Sequence, residues 1–164
     1  MADPTLEARL TALEDLEAIK ALKSRYFACC DGKDPQGVRA CFADGEVAID
    51  YGVIGQFNRA DALVEIFKQI GCHPHMVEMH HGVNPQITLG SEGRAKGQWG
   101  LHYQLINTSD NTLTQLGACY DDEYLKTGAG WKMVATRCVV NSTLVLQLSP
   151  NAVNALVIGK PPTA

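Results

Sequence analysis

The second half of this chain is four long strand-like stretches joined by short turns, and that pattern removes most folds from consideration. The stretches read near 76–90, 95–107, 113–126 and 131–147. Between them stand Gly90-Ser91-Glu92-Gly93, Thr108-Ser109-Asp110-Asn111 and Thr127-Gly128-Ala129-Gly130, residue types that suit tight turns. Turns so short join antiparallel neighbours, because a parallel pair needs a crossover of a dozen or more residues. A βαβ sheet is therefore excluded for this half.

The first half reads as helices. Asp3 or Thr5 caps the first, and Pro4 fits its opening turn. Leu6, Leu10, Leu13, Leu16, Ile19, Ala21, Leu22, Tyr26 and Phe27 follow at helical spacing as one apolar stripe, while Glu7, Arg9, Glu14, Asp15, Lys20 and Lys23 fall mostly off it. The stripe runs to about Cys30, and Asp31-Gly32-Lys33-Asp34-Pro35 ends the helix. A short second helix is expected over Pro35 to Phe42, with Val38 and Phe42 inward. A strand fits Glu46 to Tyr51. A third helix fits Asn58 or Arg59 to Ile70, with Leu63, Ile66, Phe67 and Ile70 inward. Helices first and a meander last predict an α+β fold, in which a curved, mostly antiparallel sheet closes over the helices as a cone with an interior cavity.

At 164 residues the chain suits a single domain, 1–164, with a core over about 6–147 and residues 148–164 as a C-terminal arm or tail. A domain of this size buries roughly two thirds of its unfolded surface and needs no disulfide or metal to fold. The formal charge of −4, with scattered Lys and Arg, speaks against a nucleic-acid partner and against a polybasic membrane anchor. No apolar run approaches the roughly 20 residues of a bilayer span, and the start of the chain does not read as a signal peptide. The six cysteines form no CxxC pair and read as reduced, packed thiols. A cytoplasmic location is the expectation.

Several residues could carry chemistry. Asp31 is either a turn residue before Gly32 or a carboxylate presented at a helix end. Tyr26, five positions earlier, is either a core aromatic or a hydroxyl bordering the same cavity. Four of the five histidines crowd into His73, His75, His80 and His81. His73-x-His75, with Glu78 and His80, could chelate a metal, but the pair flanks Pro74 in loop-like sequence without helical ligand spacing, so no metal is assigned. His80 and His81 are strand neighbours and point to opposite faces. His102, Tyr103, Thr136 and Arg137 are the polar candidates on later strands, only one of each adjacent pair facing inward. Trp99, Leu101, Tyr103 and Leu105 share one phase; Trp131, Met133, Ala135 and Arg137 share another. Trp99, Tyr103, His102, Arg137 and Tyr51 are the candidate substrate-lining set, apolar walls with few polar groups as a small-molecule pocket requires. The sequence lacks G-x-G-x-x-G, GxxxxGK[ST] and G-x-S-x-G, which leaves nucleotide chemistry and a serine triad without support.

The run Leu16 to Phe27 ending in Cys30-Asp31, the segment Phe42-Ala43-Asp44-Gly45-Glu46-Val47, His80-His81-Gly82-Val83-Asn84 with Ile87 and Gly93-Arg94-Ala95, and Gly130-Trp131-Lys132-Met133 together resemble SnoaL-like proteins of the NTF2-like superfamily. The likeness covers about residues 6–140. That superfamily includes scytalone dehydratase, bile-acid 7α-dehydratase and hexachlorocyclohexane dehydrochlorinase, together with isomerases, cyclases and noncatalytic binding domains. The resemblance implies a cone-shaped α+β barrel, no cofactor and a homo-oligomer, a trimer ahead of a dimer. It also implies a lyase pair in which Asp31 orients His80 as base, with Tyr26 binding a substrate carbonyl and Asn84 near the substrate. The dehydrochlorinase pattern carries an arginine five residues after the last-strand tryptophan; that place here is Thr136, with Arg137 one later. Tyr103 and His102 stand nearest to the further acid and second histidine of the dehydratases. The implied reaction is elimination from a hydrophobic ring compound, with isomerisation or cyclisation in the same pocket, or binding without catalysis, as the alternatives.

Overall fold

The computed structural model describes residues 5–149. Helix α1 spans Leu6–Asp31 and α2 Pro35–Ala40. Strand β1 (Ala48–Asp50) leads through a 3₁₀ turn, Gly52–Ile54, into β2 (Gln56–Phe57), and α3 covers Ala60–Ile70. The meander follows as β3 (Met76–Leu89), β4 (Arg94–Asn107), β5 (Thr112–Thr127) and β6 (Gly130–Gln147). All six strands form one curved sheet in the order β2-β1-β6-β5-β4-β3. Its pairings are antiparallel except β1 with β6, which is parallel. The fold is α+β with the helices on one face. Among the described residues no helix is long and apolar enough to cross a membrane.

Thr5 is the cap of α1, its Oγ1 accepting the Ala8 N–H at 3.2 Å. Asp3 and Pro4 lie outside the described residues, as do residues 150–164 of the expected tail. The apolar stripe of α1 packs only in its second half, through Ile19, Leu22, Tyr26, Phe27 and Cys30. Leu6, Leu10 and Leu13 are exposed, which corrects the expectation of a stripe buried along its whole length. Lys23 is a second correction. Its spacing from Ile19 and Tyr26 puts it on the buried face, and its side chain is fully enclosed despite the charge. In α3 the buried positions are Ala60, Leu63 and Val64, Phe67 packs partly, and Ile70 is exposed at the helix end.

Three register shifts interrupt the meander, and two of them bear on the candidate residues. Between Val83 and Gln86 the β3–β4 register shifts, and Asn84 takes a φ of 51° there. Between Glu123 and Tyr124 the β5–β6 register shifts as well: Tyr124 opposes Met133 and Glu123 opposes Ala135, so Val134 is the extra residue. Trp131 and Met133 point into the core, but after Val134 the phase inverts. Thr136 is buried and Arg137 faces out, against the phase the sequence suggested.

Candidate active site

Asp31 is the last residue of α1. A carboxylate there opposes the helix macrodipole, at a cost of about 0.3–1 kcal/mol at an exposed site. Partners from β3 offset it. The His80 backbone N–H lies 3.1 Å from each Asp31 oxygen, and His80 Nδ1 lies 2.6 Å from Asp31 Oδ1. A carboxylate can only accept, so the Nδ1 proton donates to it and Nε2 of the neutral ring keeps its lone pair. The side chains are 13% (His80) and 30% (Asp31) exposed, so the pair borders solvent without being surrounded by it.

Aromatic rings fix the imidazole. Phe27 stacks on it at 5.8 Å with 13° between planes, and Tyr103, its cross-strand partner, meets it edge-on at 4.7 Å. Phe27 can lie flat there because residue 82 has no side chain: a Cβ on Gly82 would stand 2.5 Å from Phe27 Cε2. His81, on the opposite phase, is exposed and pairs across the strands with His102.

Tyr26 is buried one ring further in. Its hydroxyl is 2.7 Å from that of Tyr51, and its ring packs 5.7 Å from Phe27. Burial, then the Cys30 thiol and neighbouring phenols, push Tyr26 well above its ordinary value, and burial does the same to Tyr51. Both remain O–H groups. The structure thus joins Tyr26 to the Asp31–His80 pair through Phe27, and adds Tyr51 beside it.

Of the other candidates, Tyr103 belongs to this site and four do not. Trp99 is core, its Nε1–H donating to the Tyr124 hydroxyl at 2.9 Å. His102 is exposed in a shallow depression of about 330 Å³ beside Gln115 and Ser142. Asn84 is exposed in its bulge, with a backbone role in the turn of β3. Arg137 lines a broad open groove of about 1390 Å³ on the other face of the sheet, 3.6 Å from Asp50. That groove also includes Lys96, Gln98, Asp121 and Glu123, carries both signs of charge, and does not include Asp31, His80 or Tyr26. His73 and His75 stack at 5.2 Å, and among the described residues no group of three or more His, Cys, Asp or Glu stands where it could hold a metal.

Sequence reasoning missed two charged clusters. Glu78, two residues before His80 on β3, accepts the Tyr103 hydroxyl at 2.9 Å and pairs with Lys33. The spacing of two from His80 was the available signal. Deeper in, Lys23 Nζ lies 2.7 Å from Asp122 Oδ2, both side chains fully enclosed, at an angle that gives charge contact without a hydrogen bond. The ammonium sits 3.7 Å over the Tyr120 ring. Asp122 also accepts from Thr136 and Tyr124, each at 2.7 Å. Alternation through Tyr120, Asp122 and Tyr124 placed this carboxylate inward.

Residues 11–137 match the SnoaL-like domain. A type 2 hexachlorocyclohexane dehydrochlorinase (LinA) superposes with a TM-score of 0.76 at 18% identity, covering 95% of this chain and 99% of that one. A protein from Novosphingobium aromaticivorans, provisionally assigned as a scytalone dehydratase, gives 0.75 at 19%, covering 94% and 97%. A protein from Kribbella flavida, Kfla4162, gives 0.69 at 16%, covering 81% and 95%. At these identities the likeness carries the fold.

Proposed function

The chain belongs to the SnoaL-like family, and from that premise we propose that it is a lyase working by acid–base chemistry, removing water from a hydrophobic ring compound through His80 and Asp31. The observation that carries this reading is the 2.6 Å contact between Asp31 Oδ1 and His80 Nδ1. Asp31 selects the tautomer with a basic Nε2 and stabilises the imidazolium that forms when Nε2 takes a proton from a carbon beside a carbonyl. Tyr26, with Tyr51 behind it, donates to the carbonyl oxygen as negative charge grows there. The C–O bond then breaks and the ring gains a double bond. The dehydratase and dehydrochlorinase names of the structural neighbours are consistent with this class of reaction.

The Tyr26–Tyr51 pair at 2.7 Å favours a second reading, in which the same enolate is reprotonated at another carbon and the enzyme is an isomerase. Product mass separates the two, since an isomer keeps the mass of its substrate and an elimination loses water. The test is turnover of a panel of β-hydroxy ketones on hydrophobic rings by wild type, His80→Ala and Asp31→Ala. Each variant should stay folded by circular dichroism and lose about 10²–10⁴-fold in rate, the contribution of a positioned base. Near-normal turnover by both would end the proposal.

A further inference from the structure

We propose that Tyr103, with Glu78 and Lys33 as positioning residues, selects a substrate whose leaving group is a hydroxyl rather than a halide. The proposal rests on the lyase reading and deepens it. Tyr103 donates its own proton to Glu78 Oε1 at 2.9 Å, and Glu78 is held by Lys33 through its other oxygen. Toward anything bound beside His80, Tyr103 therefore presents lone pairs and accepts a hydrogen bond. Its ring lies 4.7 Å from the His80 ring, so the accepting oxygen belongs to the same site as the base. A substrate hydroxyl has a proton to give to that oxygen; a chlorine has none.

The charges point the same way. A departing chloride needs a cation or a free donor to receive it. Lys33 is engaged by Glu78, Lys23 is enclosed against Asp122, and Arg137 lies on the far face of the sheet beside Asp50. Each of these cations is already matched by a carboxylate. With these cations engaged, the leaving group is met by the His80 imidazolium formed in the reaction, whose proton an oxygen keeps and a chloride does not. His80 Nε2 takes the proton of the C–H bond, whose electron pair passes into the enolate and then becomes the new C=C bond as the C–O pair leaves with oxygen. The imidazolium returns that proton to the oxygen and water departs. Atoms and charge balance with no further reactant, and because one base both takes and returns the proton, the two groups leave from the same side of the ring.

The test uses 3-hydroxycyclohexanone and 3-chlorocyclohexanone, which share a skeleton and both yield cyclohex-2-enone, with buffer background subtracted. Wild type should favour the hydroxy ring, and Tyr103→Phe should shrink that preference by about tenfold, mainly through KM, as expected for one lost hydrogen bond. Glu78→Leu should behave like Tyr103→Phe, whereas Glu78→Gln, whose amide oxygen still accepts the phenol proton, should keep most of the preference. A wild type that handles both rings alike, or a Tyr103→Phe variant that keeps the preference, overturns the proposal and leaves the lyase reading standing. Full turnover by His80→Ala would remove the lyase reading instead. In that event the ¹³Cζ resonance of Tyr103 decides the selection: it should shift on adding the hydroxy ring and not the chloro ring, and its failure to do so overturns the proposal.

Discussion

A carboxylate at the C-terminus of a helix is locally disfavoured, and Asp31 is tolerated because three N–H···O contacts from His80 converge on it. Cys30, its neighbour, shows the opposite case, a nucleophile disarmed by its surroundings. Burial, outweighing the Tyr26 hydrogen bond, and the nearby carboxylates of Glu78 and Asp31 raise its thiol from 9.0 to about 12. At pH 8 native protein treated with iodoacetamide should be alkylated at exposed Cys119 and spared at Cys30, as read by peptide mass spectrometry. The same shift couples to stability. The unfolded chain releases the Cys30 proton near pH 9.0 while the folded chain holds it to about 12, so this contribution is complete below pH 9.0 and fades as pH rises through that window. Cys41, raised to about 11, acts in the same direction. Urea midpoints should be lower at pH 10 than at pH 7; an unchanged midpoint would argue that these thiols titrate normally.

At the scale of elements, the site is where the end of α1 meets the first strands of the meander. Phe27 is the wedge between them, touching Tyr26 on one side and His80 on the other. Gly82 on β3 leaves the space that wedge occupies. Gly82→Ala should therefore push the Phe27 ring and cost about 1–3 kcal/mol, the usual penalty for overpacking. The His80 imidazole resonances should move with it, because the stacked ring moves. A variant with unaltered urea stability and unmoved His80 signals would show that Phe27 has room to spare. The bulge at Val134 acts on a larger stretch, sending Thr136 to Asp122 and Arg137 to the opposite face.

The molecule as a whole has one sheet with two different faces. The helix face holds the Asp31–His80 pair near its edge and the Lys23–Asp122 pair near its centre; the other face carries the broad groove of mixed charge. An ion pair with both side chains fully enclosed is costly to half-remove, because the survivor is left as an uncompensated charge. Lys23→Met should cost about 3–5 kcal/mol by urea denaturation, and adding Asp122→Asn should recover a substantial part of that loss. A neutral Lys23→Met variant would mean that Asp122 is satisfied by Thr136 and Tyr124 alone.

What could be read from the sequence alone was whatever short-range periodicity encodes. A spacing of three and four marks the buried half of α1, a spacing of two marks the strands, and Gly, Asn and Asp clusters mark the turns. From these come the α+β class and the antiparallel meander. Asp31 and His80 were legible through the resemblance of their flanking motifs; taken singly, each is an ordinary turn or strand residue. Only the tertiary structure decided the rest. Strand phase is a running parity, so one inserted residue at Val134 inverts the positions that follow it, until a second extra residue at Asn141 shifts the register again, and no local pattern announces either. Burial of Lys23 depends on Asp122, some hundred residues away, and commitment of the Tyr103 proton depends on Glu78 and Lys33 from two other segments. Local spacing puts Lys23 and Glu78 on their inward faces, but the partners that make those places tolerable are brought together only across the fold.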